Sequence, residues 1–449
     1  MEQKISSEEL VELDQNILHA MKPYQSDSSP FIVTKGEGSW ITDIDGKQYM
    51  DGMSGLMSVN IGYGREELAR AAYEQLTRIP YHPLTNSHIP AIRLSEKLNQ
   101  WLNDDYVFFY SNSGSEANET AFKIVRQYHH KKGDSSRHKF ISRYRAYHGN
   151  SFGALAATGQ AKRKYLYEPL SQGFIHVSPP DIYRSPYSGT EEEIGEAYAK
   201  EIERVITWEI DKSVAGVIME PIITGGGMII PPENYLKKVQ DICNKHGVLL
   251  IIDEVINGFG RTGEKFGHMH YGISPDIITM AKGLTSSYLP LSVTAVRKDL
   301  LATLSGNEEY DHFRHINTFG GNPAACALAI KNLEIMEREN LIERSAELGE
   351  VIESEMQGIY NHPNVGDIRN KGLLLGIEIV EDKLSKTPAK PQTLDKIISI
   401  CKNQGLIIGK NGDTVEGYDN ILTVAPPLSM SDEDCAFLTK TLKEAIKQI

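Results

Sequence analysis

The sequence predicts an α/β protein with a mainly parallel sheet in a large domain, joined to a smaller α+β domain. Three observations carry this. From about Arg65 onward, helical periods alternate with short apolar runs of strand length, the pattern of parallel strands joined by crossover helices. The segment VLLIIDEV sets five apolar residues directly before Asp253, so an acid stands at the carboxyl end of a buried strand. After Asn322 the alternation gives way to one long periodic stretch and a differently patterned C-terminal part.

Taken in chain order, the opening MEQKISSEELVELDQNIL alternates charged and apolar residues in a helical period, unlike the basic-then-apolar plan of a signal peptide. Thr34 to Tyr63 carries three Gly-marked turns, with Asp45-Gly46 in GSWITDIDGKQYMDG reading as a two-residue hairpin turn in a small antiparallel element. Strand YVFFY, a helix from Glu116, strand KFISRY, another helix, strand AGVIME, a helix from Glu233, and strands VLLIIDEV and PDIITMAKG then follow. NPAACALAIKNLEIMEREN predicts a long helix with Pro323 in its first turn, bridging two domains. Strands GLLLGIEIV and LIIG and a charged final helix complete the chain. The expected division is 1–64, an N-terminal segment joining the small domain; 65–322, the large domain; and 323–449, the small domain led by the bridging helix.

Composition narrows the function classes. With 449 residues, 40% hydrophobic and 24% charged, the chain has the make-up of an ordinary globular enzyme. A net charge of -13 with scattered basic residues argues against nucleic acid or a membrane surface as partner. No run approaches the roughly 18 apolar residues that a bilayer span needs. Cys243, Cys326, Cys401 and Cys435 form no CxxC pair, and no His cluster has metal-ligand spacing. They read as reduced core thiols in a cytoplasmic protein with no metal.

The chemistry-bearing residues are individually ambiguous. Asp253 could cap a helix or hold magnesium in an ATPase, but that second reading requires GxxxxGK[ST], which the chain does not contain. GFGRTG, Gly258 to Gly263, satisfies the dinucleotide pattern GxGxxG, yet DEVIN separates it from the strand and EKFGHMHYG after it has no helical stripe. It reads as a loop. Lys282 follows an apolar run and precedes a glycine, which would bring an amine to the same edge as Asp253; burial would lower its pKa and let it condense with an aldehyde, whereas the plain alternative is a lysine snorkelling to the surface. Ser113-Gly114-Ser115 precedes a strongly periodic helix with Glu116 and Glu119 in its first turn. This is either an anion cup made of N–H groups, a hydroxyl and the helix dipole, or an ordinary cap.

Their combination decides. Gly114-Ser115 before a helix, Tyr147-His148-Gly149, Asp253-Glu254-Val255 and Lys282, in this order and spacing, resemble the class III aminotransferases of the fold-type I pyridoxal-phosphate enzymes. So do GSWITDIDGKQYMDG, the NIGYG turn, MEPI from Met219 to Ile222, GFGRTG, and INTFGGNPAAC around Thr318, so the likeness covers nearly the whole chain. SGSEANETA, RYRAYHGN and PIITGGG are most similar to the pyruvate-dependent ω-amino-acid and amine aminotransferases.

The resemblance implies a seven-stranded-type sheet, pyridoxal 5'-phosphate as cofactor, and a ping-pong transfer from an amine such as β-alanine, taurine or γ-aminobutyrate to pyruvate. It implies that Asp253 pairs with the pyridine nitrogen and makes the ring an electron sink. Lys282 would hold the cofactor as an imine and then shuttle a proton. Tyr147 and Val255 would enclose the ring, with His148 and Glu220 beside it, and Ser113, Gly114 and Ser115 would hold the phosphate. Thr318 matches a phosphate ligand supplied by the neighbouring subunit, implying a homodimer.

Two departures touch specificity. Met57 stands where relatives usually carry a tryptophan, and Lys410 where close relatives carry an arginine, exchanging a rigid wall for a flexible one and a bidentate clamp for a point charge. Lys410 is expected to neutralise the keto acid's carboxylate, with Tyr24 and Tyr81 lining the amine side. The alternatives are an adenosylmethionine-8-amino-7-oxononanoate aminotransferase, another reaction on the same cofactor such as epimerisation, a nicotinamide oxidoreductase using GFGRTG, and a cofactor-binding regulator, for which the short acidic stretch Met1 to Gln25 offers no winged helix.

Overall fold

Three sheets organise the chain in the computed structural model, which describes residues 6–24, 30–103, 106–210, 212–412 and 414–449. The central sheet has seven strands in the order β4-β10-β9-β8-β7-β5-β6. They are β4 (Tyr106–Ser111), β5 (Lys139–Arg143), β6 (Phe174–Val177), β7 (Val214–Met219), β8 (Leu249–Asp253), β9 (Ile277–Met280) and β10 (Ser292–Arg297). Five of these, β5 through β9, pair in parallel, and β10 runs against both of its neighbours, β4 and β9. Every residue of β7, β8 and β9 is buried because helices cover both faces, which is why these strands are continuously apolar.

The parallel arrangement brings the carboxyl ends of β5, β7, β8 and β9 to one edge. Residues that follow those strands, 144–148, 220, 253–255 and 281–282, therefore meet in space although up to 138 positions separate them, from 144 to 282. The helix Gly114–Lys131 starts at the same edge, set by a capping box between Ser113 and Glu116. It buries Ala117, Ala121, Ile124 and Val125, one apolar stripe at helical spacing, against the sheet.

Two strands of the central sheet lie outside the sequence reading, as do the later β-segments Val365–Lys371, Thr387–Pro388 and Ile421–Val424. In β10 the buried Ser292 and Thr294 interrupt the apolar signal, and Thr294 Oγ1 meets its hydrogen-bonding need by donating to the Ala117 carbonyl at 2.8 Å. The edge strand β6 is short and only partly buried. The predicted strands and helices otherwise form, the helix expected from Glu233 beginning at Tyr235. GFGRTG lies in a run of turns with no helix on its glycines. The N-terminal helix spans Ser7–Leu13; its expected first residues, 1–5, lie outside the described residues.

A second sheet joins β1 (Val33–Glu37), β2 (Trp40–Asp43) and β3 (Gln48–Asp51) to β14 (Leu406–Ile407), which comes from the far end of the chain and pairs with β3 in parallel. The β2–β3 turn corrects the two-residue hairpin expected at Asp45-Gly46. Four residues separate the strands, and the Asp43 carboxylate organises them by accepting from Asp45 N at 3.0 Å and Lys47 N at 2.8 Å. The third sheet is antiparallel: β11 (Val365–Lys371), β12 (Leu374–Asp382), β16 (Ile421–Val424) and β15 (Gly409–Lys410), with β13 (Thr387–Pro388) beside β12. LIIG is thus divided: Leu406–Ile407 serve one sheet and Gly409 the next.

The helix Pro323–Arg338 buries ten of its 16 residues and packs against the helices Glu66–Arg78 and Ile89–Leu102. The four cysteines are free and buried, as expected of core thiols. No helix of the described residues is long and apolar enough to cross a membrane.

Candidate active site

Asp253 ends β8 and is 3% exposed. Its Oδ2 accepts from Asn118 Nδ2 at 2.9 Å and from His148 Nδ1 at 2.9 Å, while Oδ1 accepts, among the described residues, only the Val255 N–H at 3.1 Å. Asn118 also donates to the His148 carbonyl at 2.7 Å and accepts from the Thr279 hydroxyl of β9 at 2.7 Å. A carboxylate has about four acceptor positions, so Oδ1 keeps capacity for one further donor while Oδ2 is fixed. Asn118 escaped the sequence reading. Its signal was an amide four residues after Gly114, on a helix face otherwise apolar.

Lys282 follows β9 with φ +40°, a left-handed conformation that a lysine rarely adopts. The turn is pinned on two sides. Asn332, from the helix Pro323–Arg338, donates to the Gly283 and Leu284 carbonyls at 2.9 and 3.1 Å, and Asn60 packs so closely under Gly283 that a Cβ there would lie 2.5 Å from its Nδ2. Lys282 keeps a partial opening to solvent yet is densely surrounded by protein. Burial lowers its amine to about 8, against the opposing pull of Asp253 and Glu220, with Arg261 adding to the lowering.

Glu220 is buried at the end of β7, and burial pushes its carboxyl above the ordinary value. It accepts from Thr224 Oγ1 at 2.7 Å, Thr224 N at 3.1 Å and Tyr147 N at 3.2 Å, which ties the Tyr147 backbone to β7. The Arg163 guanidinium lies 5.2 Å from the centre of the Tyr147 ring. Across the edge, Val255 packs on Gly114, where a Cβ would stand 3.0 Å from Val255 Cγ2.

The helix start is organised differently from the expected cup. Ser113 spends its groups on the cap: its N–H donates to Glu116 Oε2 at 3.0 Å and its Oγ accepts from Glu116 N at 3.3 Å. The N–H groups of Gly114 and Ser115 remain, since the first turn of a helix offers them no acceptor. Ser115 Oγ faces Asn150, donating to Oδ1 at 3.0 Å and accepting from its N–H at 3.1 Å. Gly149, φ +138°, brings that loop so close that a Cβ would be 2.5 Å from Ser115 Oγ. Asn150 is a second residue the sequence reading did not single out.

The remaining predicted residues separate. Met57, buried with φ +57°, packs in a cluster with Ile222, Met228, Leu374 and Ala425, beside Ile256. It therefore borders residues adjoining Glu220 and Val255. Thr318 is exposed and its hydroxyl has no hydrogen bond among the described residues. Tyr81 is exposed and meets Phe319 edge-on at 6.2 Å, so it belongs with the Thr318 segment. Tyr24 is exposed. Lys410 Nζ donates to Asp395 Oδ1 at 2.6 Å, an ion pair with the helix Pro391–Asn403.

An aldehyde-bearing pyridine phosphate needs an amine, an acceptor for its ring nitrogen and an anion cup. Lys282, the open side of Asp253 Oδ1, and the Gly114 and Ser115 N–H groups supply these kinds of group. The fold and this set of residues define a pyridoxal-phosphate-dependent transaminase. The family profile described as Aminotransferase class-III matches residues 21–446. An uncharacterized aminotransferase, YhxA, of Bacillus subtilis (strain 168) is 62% identical over 97% of this chain and 96% of its own. A taurine–pyruvate aminotransferase of Bilophila wadsworthia (strain 3_1_6) is 40% identical over 95% of this chain and 94% of its own. The crystal structure of a Bacillus anthracis aminotransferase superposes with a TM-score of 0.97 at 56% identity, covering 100% of both chains. The chain belongs to the class III aminotransferase family.

Proposed function

We propose that this enzyme moves an amino group from an ω-amino acid or related amine, such as taurine, β-alanine or γ-aminobutyrate, to pyruvate in two half-reactions at one site. The observation that carries the reading is the meeting, at one sheet edge, of the lowered Lys282 amine with Asp253, whose Oδ1 has room for a donor. The taurine–pyruvate relative supports the choice of donor class and acceptor.

When bound, the cofactor supplies an aldehyde for amines and a ring that accepts an electron pair. Asp253 would accept the proton of the ring nitrogen through Oδ1, held there by Asn118 and His148. Lys282 would carry a proton to and from the reacting carbon, a task its lowered amine suits near neutral pH. Tyr147 and Val255 would set the ring plane, Glu220 holding Tyr147 by its N–H. Gly114, Ser115 and the helix N-terminus would orient the phosphate. Met57 would wall the substrate side, and Lys410 would meet the keto acid's carboxylate.

A homodimer in the cytoplasm fits this reading. Thr318 is exposed between Ile316, 70% exposed, and Phe319, 64% exposed, apolar side chains suited to cover by a second copy. The test is a panel of amine donors with pyruvate, read as alanine formed, on wild type and Lys282→Ala. Alanine from an ω-amino donor in wild type alone is expected; no alanine from any donor ends the pyruvate assignment.

A further inference from the structure

Arg261, within the GFGRTG loop, is fully buried, and no carboxylate lies within ion-pair distance of it among the described residues. Its guanidinium instead binds three separate parts of the chain. Nη1 donates to the Leu373 carbonyl at 3.4 Å and to the Pro426 carbonyl; Nη2 donates to Asn60 Oδ1 at 3.0 Å and Ser54 Oγ at 3.2 Å. Asp51 offsets part of the cost at longer range, but the groups that bind the guanidinium are neutral dipoles; a buried cation so held is costly, and such a cost persists where the charge or its geometry is used.

The two residues on Nη2 lead in different directions. Asn60 donates to the Phe259 carbonyl at 2.9 Å and lies directly under Gly283, the residue after Lys282. Ser54, φ +45°, opens the turn Ser54–Met57, in which Gly55 and Met57 also have positive φ, and its hydroxyl donates to the Ala425 carbonyl. One nitrogen thus holds both the support of the Lys282 turn and the start of the Met57 turn.

We propose that Arg261 is a positioning residue for amino transfer: through Asn60 it sets the Lys282 turn, and through Ser54 it fixes the Met57 turn relative to it. The proposal rests on Lys282 and Met57 serving as described above. Its charge acts in the same sense. The charged groups bearing on Lys282 are Asp253, Glu220 and Arg261, of which only Arg261 favours the neutral amine, and although burial lowers its own guanidinium to about 9 it stays charged at neutral pH.

The test compares holoenzymes of wild type, Arg261→Gln, Arg261→Lys and Asn60→Ala. It reads kcat, KM, the melting temperature, and the pH midpoint of the visible band of the cofactor joined to Lys282. Removing the like charge raises the midpoint of the lysine nitrogen, so Arg261→Gln is expected to move it up by about one unit and to lower kcat about tenfold. Arg261→Lys keeps the charge but not the fork, so its midpoint stays within about half a unit of wild type while kcat falls as in the glutamine variant. Asn60→Ala lowers kcat about fivefold with the midpoint unmoved. A folded Arg261→Gln enzyme with a wild-type midpoint and kcat, or variants that lose melting temperature alone, would overturn the proposal. If Arg261→Gln does not fold, the other two variants decide on the same terms. A wild-type band that persists in Lys282→Ala would instead refute the role of Lys282, and this proposal with it.

Discussion

His148 Nδ1 lies 2.9 Å from Asp253 Oδ2, in a contact buried on both sides. The ring carries a proton on Nδ1 to donate to the carboxylate, and the buried Nε2 has no hydrogen-bond partner among the described residues. His148 thus fixes one oxygen of Asp253 and leaves the other directed to its own partner.

Asp253→Asn removes that anionic acceptor, and kcat/KM is expected to fall by at least about 100-fold, the scale of losing one preorganised electrostatic group. His148→Ala leaves Asp253 charged and supported by Asn118, so a smaller loss of about 10-fold is expected. Steady-state kinetics on both variants checks the order; equal losses would mean that His148 does more than hold the carboxylate.

The Lys282 amine, ordinarily near 10.5, is lowered to about 8 in the folded chain. Between these values the unfolded chain holds a proton that the folded chain has released, so stability rises with pH across that window, and below about 8 the folded state bears the cost of a buried ammonium. Cofactor-free Lys282→Met is therefore expected to be more stable than cofactor-free wild type at pH 7, by on the order of 2 kcal/mol after allowance for the partial opening to solvent. The two should converge above about pH 10. Urea unfolding at a series of pH values measures both; a constant difference would show that the lysine's titration contributes nothing.

Lys410 is held by Asp395 at 2.6 Å, in a half-exposed pair of the kind worth about 0.2–1 kcal/mol. If Lys410 meets the keto acid's carboxylate, Asp395 competes with substrate. Asp395→Ala should then lower the KM for pyruvate by about 2- to 5-fold, and Lys410→Ala should raise it. An unchanged KM in Lys410→Ala removes this residue from the acceptor site.

Glu378 of β12 is wholly buried between Arg184 Nε at 2.5 Å and Arg369 Nη1 at 2.9 Å. Arg369 also donates to the Gly227 carbonyl, and Arg145, paired with Asp181 at 2.6 Å, donates to that of Gly226. Removing the central carboxylate leaves the buried Arg184 without its counter-ion and Arg369 with Asp367 alone. Glu378→Ala is expected to destabilise the protein by about 3–5 kcal/mol, measured by denaturant unfolding, and Glu378→Gln by less.

The central sheet was legible because β7, β8 and β9 are buried on both faces and must be apolar throughout, a pattern that needs no knowledge of neighbours. The same holds for the helix after Ser113, whose capping box and stripe are local. Strand β10 was not legible, since Thr294 satisfies its hydroxyl with a carbonyl 177 residues away. Asn118 and Asn150 were missed for a related reason: an asparagine becomes part of the site only through partners on other segments, here Asp253, Thr279 and Ser115.

By itself, then, the sequence determined the class of fold and the order of most elements, which follow from periodicity. Asp253 and Lys282 it offered as candidates, through the resemblance carried by the order of the motifs. What only the tertiary structure decided is how the charges are used. Ser113 is consumed by its cap, Lys410 is held by Asp395, and Arg261, which the sequence marked only as part of a loop, is buried where the Asn60 and Ser54 segments meet. Hydrogen bonding and burial depend on which segments fold against one another, and that information lies between distant positions of the chain rather than at any one of them.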